Sequence, residues 1–496
     1  MYIYEAEAIK QIDQQAADKG FSLFALMENA GRNIFEAIRA YIDYTDTILI
    51  LAGTGNNGGD GIVLARYLYG EGFQVQLTFP LGEPKTSTAK EHLAYAKKTG
   101  VKAKTAGDLT DHSTVIVDAL LGVGVKPPLR KNAAKTVEWA NQQMTRRFAI
   151  DLPTGVAANH GEVPLREEST DSLAFSAEMT FALHGAKPSA YLLPSSAFYG
   201  KLIAVPIGLQ QTGAIRELTE QDVQNTLLKR KSASHKGAFG MSLLYAGTDS
   251  MPGSAVLAAT GAIRSGTGKL MMATTSMVAS ILAGAVPEAT YMLDGLQTLN
   301  QTGEIPEKVS AIGIGPGLDD TAAIDQALGH ILQSDLPVVV DAGALYTNRD
   351  WSREASTVLT PHPGEFSVLT GESIAFIQQN RITLSSRFAK ENDVILVLKG
   401  KYTVIAFPDG AIRINPTGNT GLAKGGSGDV LTGMLTSFLS YDTNAYAAVQ
   451  NAVYIHGLCA DIWSETRSEG SMTASDFHAL LPEAFNRLEN NSGEKM

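Results

Sequence analysis

Short apolar runs, each ending in a carboxylate or a glycine-rich turn and each followed by helical periodicity, recur along this chain and restrict its fold class. Thr47–Ala52 is the first such run; the glycine-rich stretch Gly53–Asp60 follows as a turn, and an amphipathic helix is expected over Gly61–Tyr69. Gln74–Phe79 then reads as a strand, Ala89–Lys98 as a helix and Val115–Asp118 as a strand, followed by a helix over Ala133–Met144 and a strand over Arg147–Asp151. Alternation of this kind predicts a parallel sheet with helices on both faces. Ligands of such sheets bind outside the carboxyl ends of the strands, so Gly53–Asp60, Asp118 and Asp151 are expected at one edge. Upstream, residues 5–40 carry helical spacing around a break at Gly20.

Beyond Thr180–Val205 the pattern shortens, and the polar segment Leu209–Arg216 reads as a boundary. A second α/β series starts at Ser242–Ala246 and runs through a helix at Gly253–Arg264 and a strand at Lys269–Thr274. Apolar runs follow at Ala311–Gly317, Val338–Ala342, Thr357–Thr360, Val394–Lys399 and Tyr402–Phe407. At 496 residues the chain exceeds what one ordinary core organises, and two domains are expected, 1–212 and 218–496. A net charge of −11 argues against nucleic-acid binding. Cys459 is the only cysteine, which rules out an intramolecular disulfide and speaks against cysteine-based metal sites. The N-terminus lacks the basic and apolar regions of a signal peptide and no apolar run is long enough to span a bilayer, so a cytoplasmic protein without membrane partners is expected.

The run from Pro416 to Gly433 places six glycines in eighteen positions ahead of Val430, Leu431, Met434, Leu435 and Phe438 at helical spacing. Such a run forms poor helix or strand but exposes successive amides to an anion where a helix starts. Asp429 thus stands at the mouth of an anion site, placed for acid–base work on a phosphorylated or phosphate-accepting group. In the first half, Gly53–Gly61 lacks the Lys and Ser/Thr of the phosphate-binding G-x-x-x-x-G-K-[ST] pattern, and although Gly53–Gly58 has the spacing of G-x-G-x-x-G, Asn56 and Asn57 break the usual sense of a dinucleotide fingerprint. Its amides and carboxylate suit polar recognition or coordination of a hard cation. His362, framed by two prolines in Thr360–Glu365, is fixed at low entropy cost and is read as a ligand contact. No second histidine or cysteine stands at zinc spacing. Lys399–Thr403 reads as a hairpin offering charge and hydroxyl to a nucleotide, whereas the basic pair in Ser234–Gly237 reads as surface.

Met27–Gly31, Asn56–Gly61, Asp118 with its following glycine loop, and Asp151–Gly155 together resemble the NAD(P)H-hydrate epimerases over roughly residues 1–210. The resemblance implies a Rossmann-like three-layer αβα domain. It also implies contact of Asn56, Asn57, Gly58, Gly59, Asp60, Gly122, Val123, Gly124, Val125, Lys126, Pro127, Pro128 and Asp151 with a hydrated nicotinamide nucleotide. Asn57, Asp118 and Thr154 would hold potassium; Thr154 stands where serine is common, and Thr54 where proline is. Pro416–Gly433, Thr360–Glu365 and Gly315–Gly317 resemble the ADP- or ATP-dependent NAD(P)H-hydrate dehydratases, over roughly 220–490. That likeness implies a ribokinase-like αβα domain in which Ala255, Gly317, His362 and Asp429 contact the hydrate. Lys399, Gly400, Lys401, Tyr402, Thr403 and Gly428 would contact the adenine nucleotide. The loop Asp341–Leu345 departs from the family, with Gly343 where a second acidic residue often stands, and is expected to lie outside the main site.

The implied substrates are NADHX and NADPHX, nicotinamide rings with water added across the 5,6 double bond, together with ADP. Asp429 would take the hydroxyl proton while a phosphoryl group is transferred to it, with magnesium on the nucleotide phosphates, ADP giving AMP and phosphate. Asp151 would share in the proton chemistry of R–S epimerisation, and a homo-oligomer is expected. From the residues alone, a small-molecule kinase or a nucleotide-sensing binding protein would use the same glycine-rich cradle.

Overall fold

The computed structural model describes residues 1–105, 113–125, 128–163, 172–346 and 349–490. The chain divides into two compact units, one of Met1–Ile215 with Gln378–Asn380, the other of Arg216–Ile377 with Arg381 onward. No described helix is long and apolar enough to cross a membrane.

The first unit begins with helices α1 (Ala6–Asp18) and α2 (Leu23–Ile38), the latter capped by Ser22. Its strands are β1 (Thr47–Ala52), β2 (Gln74–Phe79), β3 (Ala103–Thr105), β4 (Val115–Ala119), β5 (Arg146–Ile150), β6 (Met179–Leu183) and β7 (Lys201–Val205). They form one parallel sheet in the order β3-β2-β1-β4-β5-β6-β7. Helices α3 (Asn56–Gly70), α4 (Ser87–Lys98) and α5 (Lys131–Gln142) connect them. β1 and β4 are apolar on both faces because both faces are covered, as a parallel sheet requires. One expectation fails locally: α3 starts at Asn56, five residues before Gly61, so most of the glycine-rich stretch is helix. The glycines serve packing there. A Cβ at Gly58 would stand 2.1 Å from Gly53 O, and one at Gly59 2.4 Å from Met27 Sδ.

The second unit carries β8 (Ile215–Glu217), α6 (Glu220–Thr226), β9 (Met241–Tyr245), α7 (Pro252–Arg264), β10 (Lys269–Thr274), α8 (Ser276–Ala285), β11 (Ala289–Leu293), α9 (Gly295–Thr302) and β12 (Ala311–Ile314). It continues with α10 (Thr321–Ile331), β13 (Val338–Val340), β14 (Thr357–Leu359), α11 (Pro363–Thr370), α12 (Ile374–Gln379), α13 (Arg381–Asn392) and β15 (Ile395–Leu398). β16 (Thr403–Ala406), β17 (Ile412–Asn415), α14 (Ser427–Tyr441), α15 (Ala445–Ser464) and α16 (Phe477–Asn490) complete it. The sheet order is β11-β10-β9-β12-β13-β14-β15-β16-β17-β8. It is parallel from β11 to β15 and antiparallel through β15, β16 and β17.

Helices α7 and α14 approach backbone to backbone, and this contact positions the site. A Cβ at Gly433 would lie 1.9 Å from Ala258 O, and one at Gly261 2.3 Å from Val430 O. Only glycine at both places lets the two helices close, which brings their N-termini together. Val430, Leu431, Met434, Leu435 and Phe438 then bury the opposite side of α14 in the core with α15 and α16.

Candidate functional site

In the second unit, Gly426 takes the left-handed conformation (φ 95°) that ends the glycine run and starts α14 at Ser427. Asp429 therefore sits in the first helical turn, where backbone amides have no intrahelical acceptor and the helix dipole favours negative charge. His456 Nε2 lies 2.9 Å from Ser427 O, and burial pushes this ring down to about 4, so it stays neutral and donates to the start of the helix. Burial raises Asp429 to about 6, aided by the charge of Asp341 and opposed by a hydrogen bond from Ser254 and by Lys399. Ser254 and Ala255 open α7, and a Cβ at Gly317 would stand 2.8 Å from Ser254 Cβ. Ala255, Gly317 and Asp429 are thus brought together.

The hub of this end is Asp341, directly after β13. Its Oδ1 accepts from Lys399 Nζ at 2.7 Å and Thr360 Oγ1 at 2.8 Å, and its Oδ2 from Thr432 Oγ1 at 2.8 Å. A Cβ at Gly428 would lie 3.4 Å from Lys399 Nζ and 3.8 Å from Asp341 Oδ2. The loop expected to stand outside the site therefore supplies its central carboxylate. Gly343 has its own reason: a side chain there would meet Leu318 O at 2.3 Å. Burial works against the charge on Lys399, but Asp341 and Glu365 outweigh it and hold its affinity for a proton above the ordinary value.

His362 caps α11. Its Nδ1 accepts from the amides of Gly364 (3.0 Å) and Glu365 (3.2 Å), while Glu365 Oε2 accepts from the His362 amide at 2.7 Å. In the neutral ring this leaves the proton on Nε2, as a donor on a half-exposed side chain. Glu365 also lies 3.9 Å from Lys399, which links the capped turn to Asp341. Lys399–Thr403 does form a hairpin turn, between β15 and β16. Lys399 faces the carboxylates; Lys401 lies 5.3 Å from the Tyr402 ring and Thr403 Oγ1 donates to Gly400 O at 3.1 Å. Buried Arg381 clamps the turn from beneath, donating to Leu398 O (2.7 Å) and Lys399 O (3.1 Å).

In the first unit, a cavity of about 480 Å³ opens where β1, β4 and β5 end; Asn56, Asn57, Asp60, Gly122, Val123, Gly124, Val125 and Asp151 line it. Gly58 and Gly59 face Gly53 and Met27 instead, and Pro128 borders a neighbouring cleft that Val123, Gly124 and Val125 share. Lys126 and Pro127 lie outside the described residues. Asp118 is fully buried, accepting from Leu120 N (3.0 Å), Thr154 N (2.7 Å) and Thr154 Oγ1 (2.8 Å). Burial still raises it to about 6 against these bonds. Leu121 joins the set, its amide donating to Thr154 Oγ1 at 3.2 Å and its carbonyl accepting from Asn57 Nδ2 at 3.1 Å. Asn57 Oδ1 is buried with no hydrogen-bond partner.

Two family models match the chain, NAD(P)H-hydrate dehydratase over residues 242–483 and YjeF-related protein N-terminus over 23–189. A bifunctional NAD(P)H-hydrate repair enzyme of Moorella thermoacetica is 32% identical over 99% of this chain and 97% of its own. The chain belongs to the bifunctional NAD(P)H-hydrate repair enzymes. An ADP-dependent (S)-NAD(P)H-hydrate dehydratase of Bacillus subtilis is 45% identical over 55% of this chain and 98% of its own. The crystal structure of an ADP/ATP-dependent NAD(P)H-hydrate dehydratase from that organism, co-crystallised with ATP and Mg2+, matches 56% of this chain and all of the other, with 44% identity and a TM-score of 0.54. The ribokinase-like fold expected for the second unit stands.

In this member of the repair family the sequence reading missed Asp341, Ser254, Glu365 and Arg381 in one unit, and Asp13 and Lys187 in the other. Asp341 carried a usable signal, a carboxylate at the end of an apolar strand, the same rule that selected Asp118 and Asp151. Lys187 and Asp13 carried none, since only folding sets Lys187 against the Asp151 carboxylate and Asp13 on the wall of the same cavity.

Proposed function

We propose that the protein repairs hydrated NAD(P)H. The first unit interconverts the R and S forms of NADHX and NADPHX; the second dehydrates the S form to NAD(P)H at the expense of ADP, giving AMP and phosphate. The observation that carries this reading is Asp429 in the first turn of α14, beside Ser254, Lys399 and Asp341. In the second unit, Asp429 takes the proton of the C6 hydroxyl as its oxygen attacks the terminal phosphorus of ADP. The amides at the start of α14 and the Lys399 ammonium stabilise the charge on the transferring phosphoryl group. AMP leaves; phosphate then departs from C6 and takes up the proton lost from C5, and the ring double bond is restored. His362 Nε2–H and the turn at Gly317 orient the hydrate, and the Lys399–Thr403 hairpin with Gly428 receives the nucleotide.

Among the described residues no three acidic, histidine or cysteine side chains cluster as a metal cage. Magnesium would sit on the nucleotide phosphates, with Asp341 and Glu365 the nearby protein oxygens, and would neutralise phosphate charge there. For potassium in the first unit, the supporting feature is the buried and unpartnered Oδ1 of Asn57, a side chain linked through Leu121 to Thr154 and thence to Asp118. These three would hold the ion, which supplies a fixed positive charge beside the ligand. A cytoplasmic location and assembly as a homo-oligomer complete the reading, and sedimentation measures the second.

The test is incubation with hydrated NADH and ADP. Repair restores the near-ultraviolet absorbance of NADH in step with AMP and phosphate. A kinase would consume nucleotide without restoring NADH, and a sensor would do neither; either result sinks the reading.

A further inference from the structure

The first-unit cavity contains more chemistry than ligand recognition needs. Asp13 from α1, Asp60 from α3, Asp151 after β5, and Lys187 all line it. Lys10 and His184 are the other titratable groups on its wall. His184 is 1% exposed, stacks on Tyr4 at 4.9 Å, and has no hydrogen-bond partner on either ring nitrogen. It gives the cavity buried polar atoms that a bound ligand would satisfy.

The carboxyl groups occupy different environments. Asp151, held with φ at 70°, has its Oδ1 paired with the buried Lys187 ammonium and accepting from Leu183 N at 3.3 Å. Lys187 is fixed in turn by Leu183 O (3.2 Å) and Gly185 O (3.1 Å). The ammonium stands against Oδ1, and Asp151 lines the cavity. Asp60 is buried beside Asp151 and Asp13; burial first, then these two like charges, hold its carboxyl well above the ordinary range, with Lys187 opposing. One carboxyl group paired with a cation, and a second buried in the same cavity without such a pair among the described residues, is the arrangement that divides acid and base roles.

Resting on the epimerase reading above, we propose that Asp60 is the proton donor and Asp151 the proton acceptor of the R–S interconversion, with Asp13 as the positioning residue beside Asp60. Asp151 Oδ2 takes the C6 hydroxyl proton. The C6 carbonyl forms, the C6–N1 bond breaks, and its electron pair passes to N1, conjugated with the carboxamide-bearing double bond. Asp60 gives its proton to N1. Rotation about C5–C6 presents the other carbonyl face; Asp60 takes the N1 proton back, N1 attacks C6, and Asp151 returns its proton to the oxygen. No water, oxidant or second substrate enters.

The experiment follows R-NADHX with the full chain and no ADP, resolving the epimers by chromatography. Asp60→Asn and Asp151→Asn should each lower kcat about 100-fold or more with KM nearly unchanged. Asp60→Asn, a neutral isostere of a neutral acid, should unfold at or above the parent temperature, which a structural role for the acid would not give. Asp13→Asn removes a like charge, so the fall of kcat on the alkaline side should move to lower pH. Near-parental kcat in Asp60→Asn, or an unmoved alkaline limb in Asp13→Asn, overturns the assignment. If Asp60→Asn does not fold, the limb shift decides alone. A parent protein that leaves the epimers unmixed overturns the epimerase reading itself, a result distinct from failure of the variants.

Discussion

At the scale of single residues, the second unit turns on how a few charges are held. Asp429, raised to about 6 by burial, keeps its proton further up the pH scale than a free aspartate. A base must be ionised, so dehydration should rise as pH increases through about 6 and level off above it, read as initial rates of NADH recovery. Asp341 neutralises Lys399 while accepting from Thr360 and Thr432. Asp341→Ala removes the carboxylate hydrogen-bonded to that ammonium, leaving Glu365 at 3.9 Å and Asp429 as its remaining negative neighbours, and should destabilise the protein by about 3 kcal/mol, measured by urea unfolding. An unfolding midpoint equal to the parent's would mean that the pair contributes nothing.

At the scale of elements, two contacts turn local sequence into site geometry. His362 serves as the cap of α11, so His362→Ala should cost about 1 kcal/mol in unfolding experiments. His362→Asn can restore the cap without the ring; if activity stays low while stability returns, the imidazole also meets the ligand. Gly433→Ala would drive a methyl group into Ala258 O and part α7 from α14, costing about 2 kcal/mol and lowering kcat through displacement of Asp429 from Ser254. The strands and most helices were legible because apolar runs and helical periodicity are local signals. The start of α3 was not. Asn56–Asp60 has turn composition, and its helix is imposed by packing on Gly53 and Met27. Asp429 and Asp118 were legible from their place in motifs. The Asp341–Lys399 pair, 58 residues apart in sequence, and the Lys187–Asp151 pair, 36 apart, exist only once strands are laid side by side.

At the scale of the whole molecule, each unit has its own sheet, its own core and its own set of polar groups at the carboxyl ends of the strands. Two chemistries are therefore separable by substitution: Asp429→Ala should abolish NADH recovery while the R and S epimers still interconvert. The reading of the full chain as a repair enzyme rests on Asp429 as the base that activates the hydrate. The most direct test measures NADH recovery from the S-hydrate with ADP for the parent and for Asp429→Ala, alongside AMP release. The account predicts recovery matched by AMP in the parent and a loss of about 1,000-fold in the variant. Recovery at the parental rate in Asp429→Ala would contradict it.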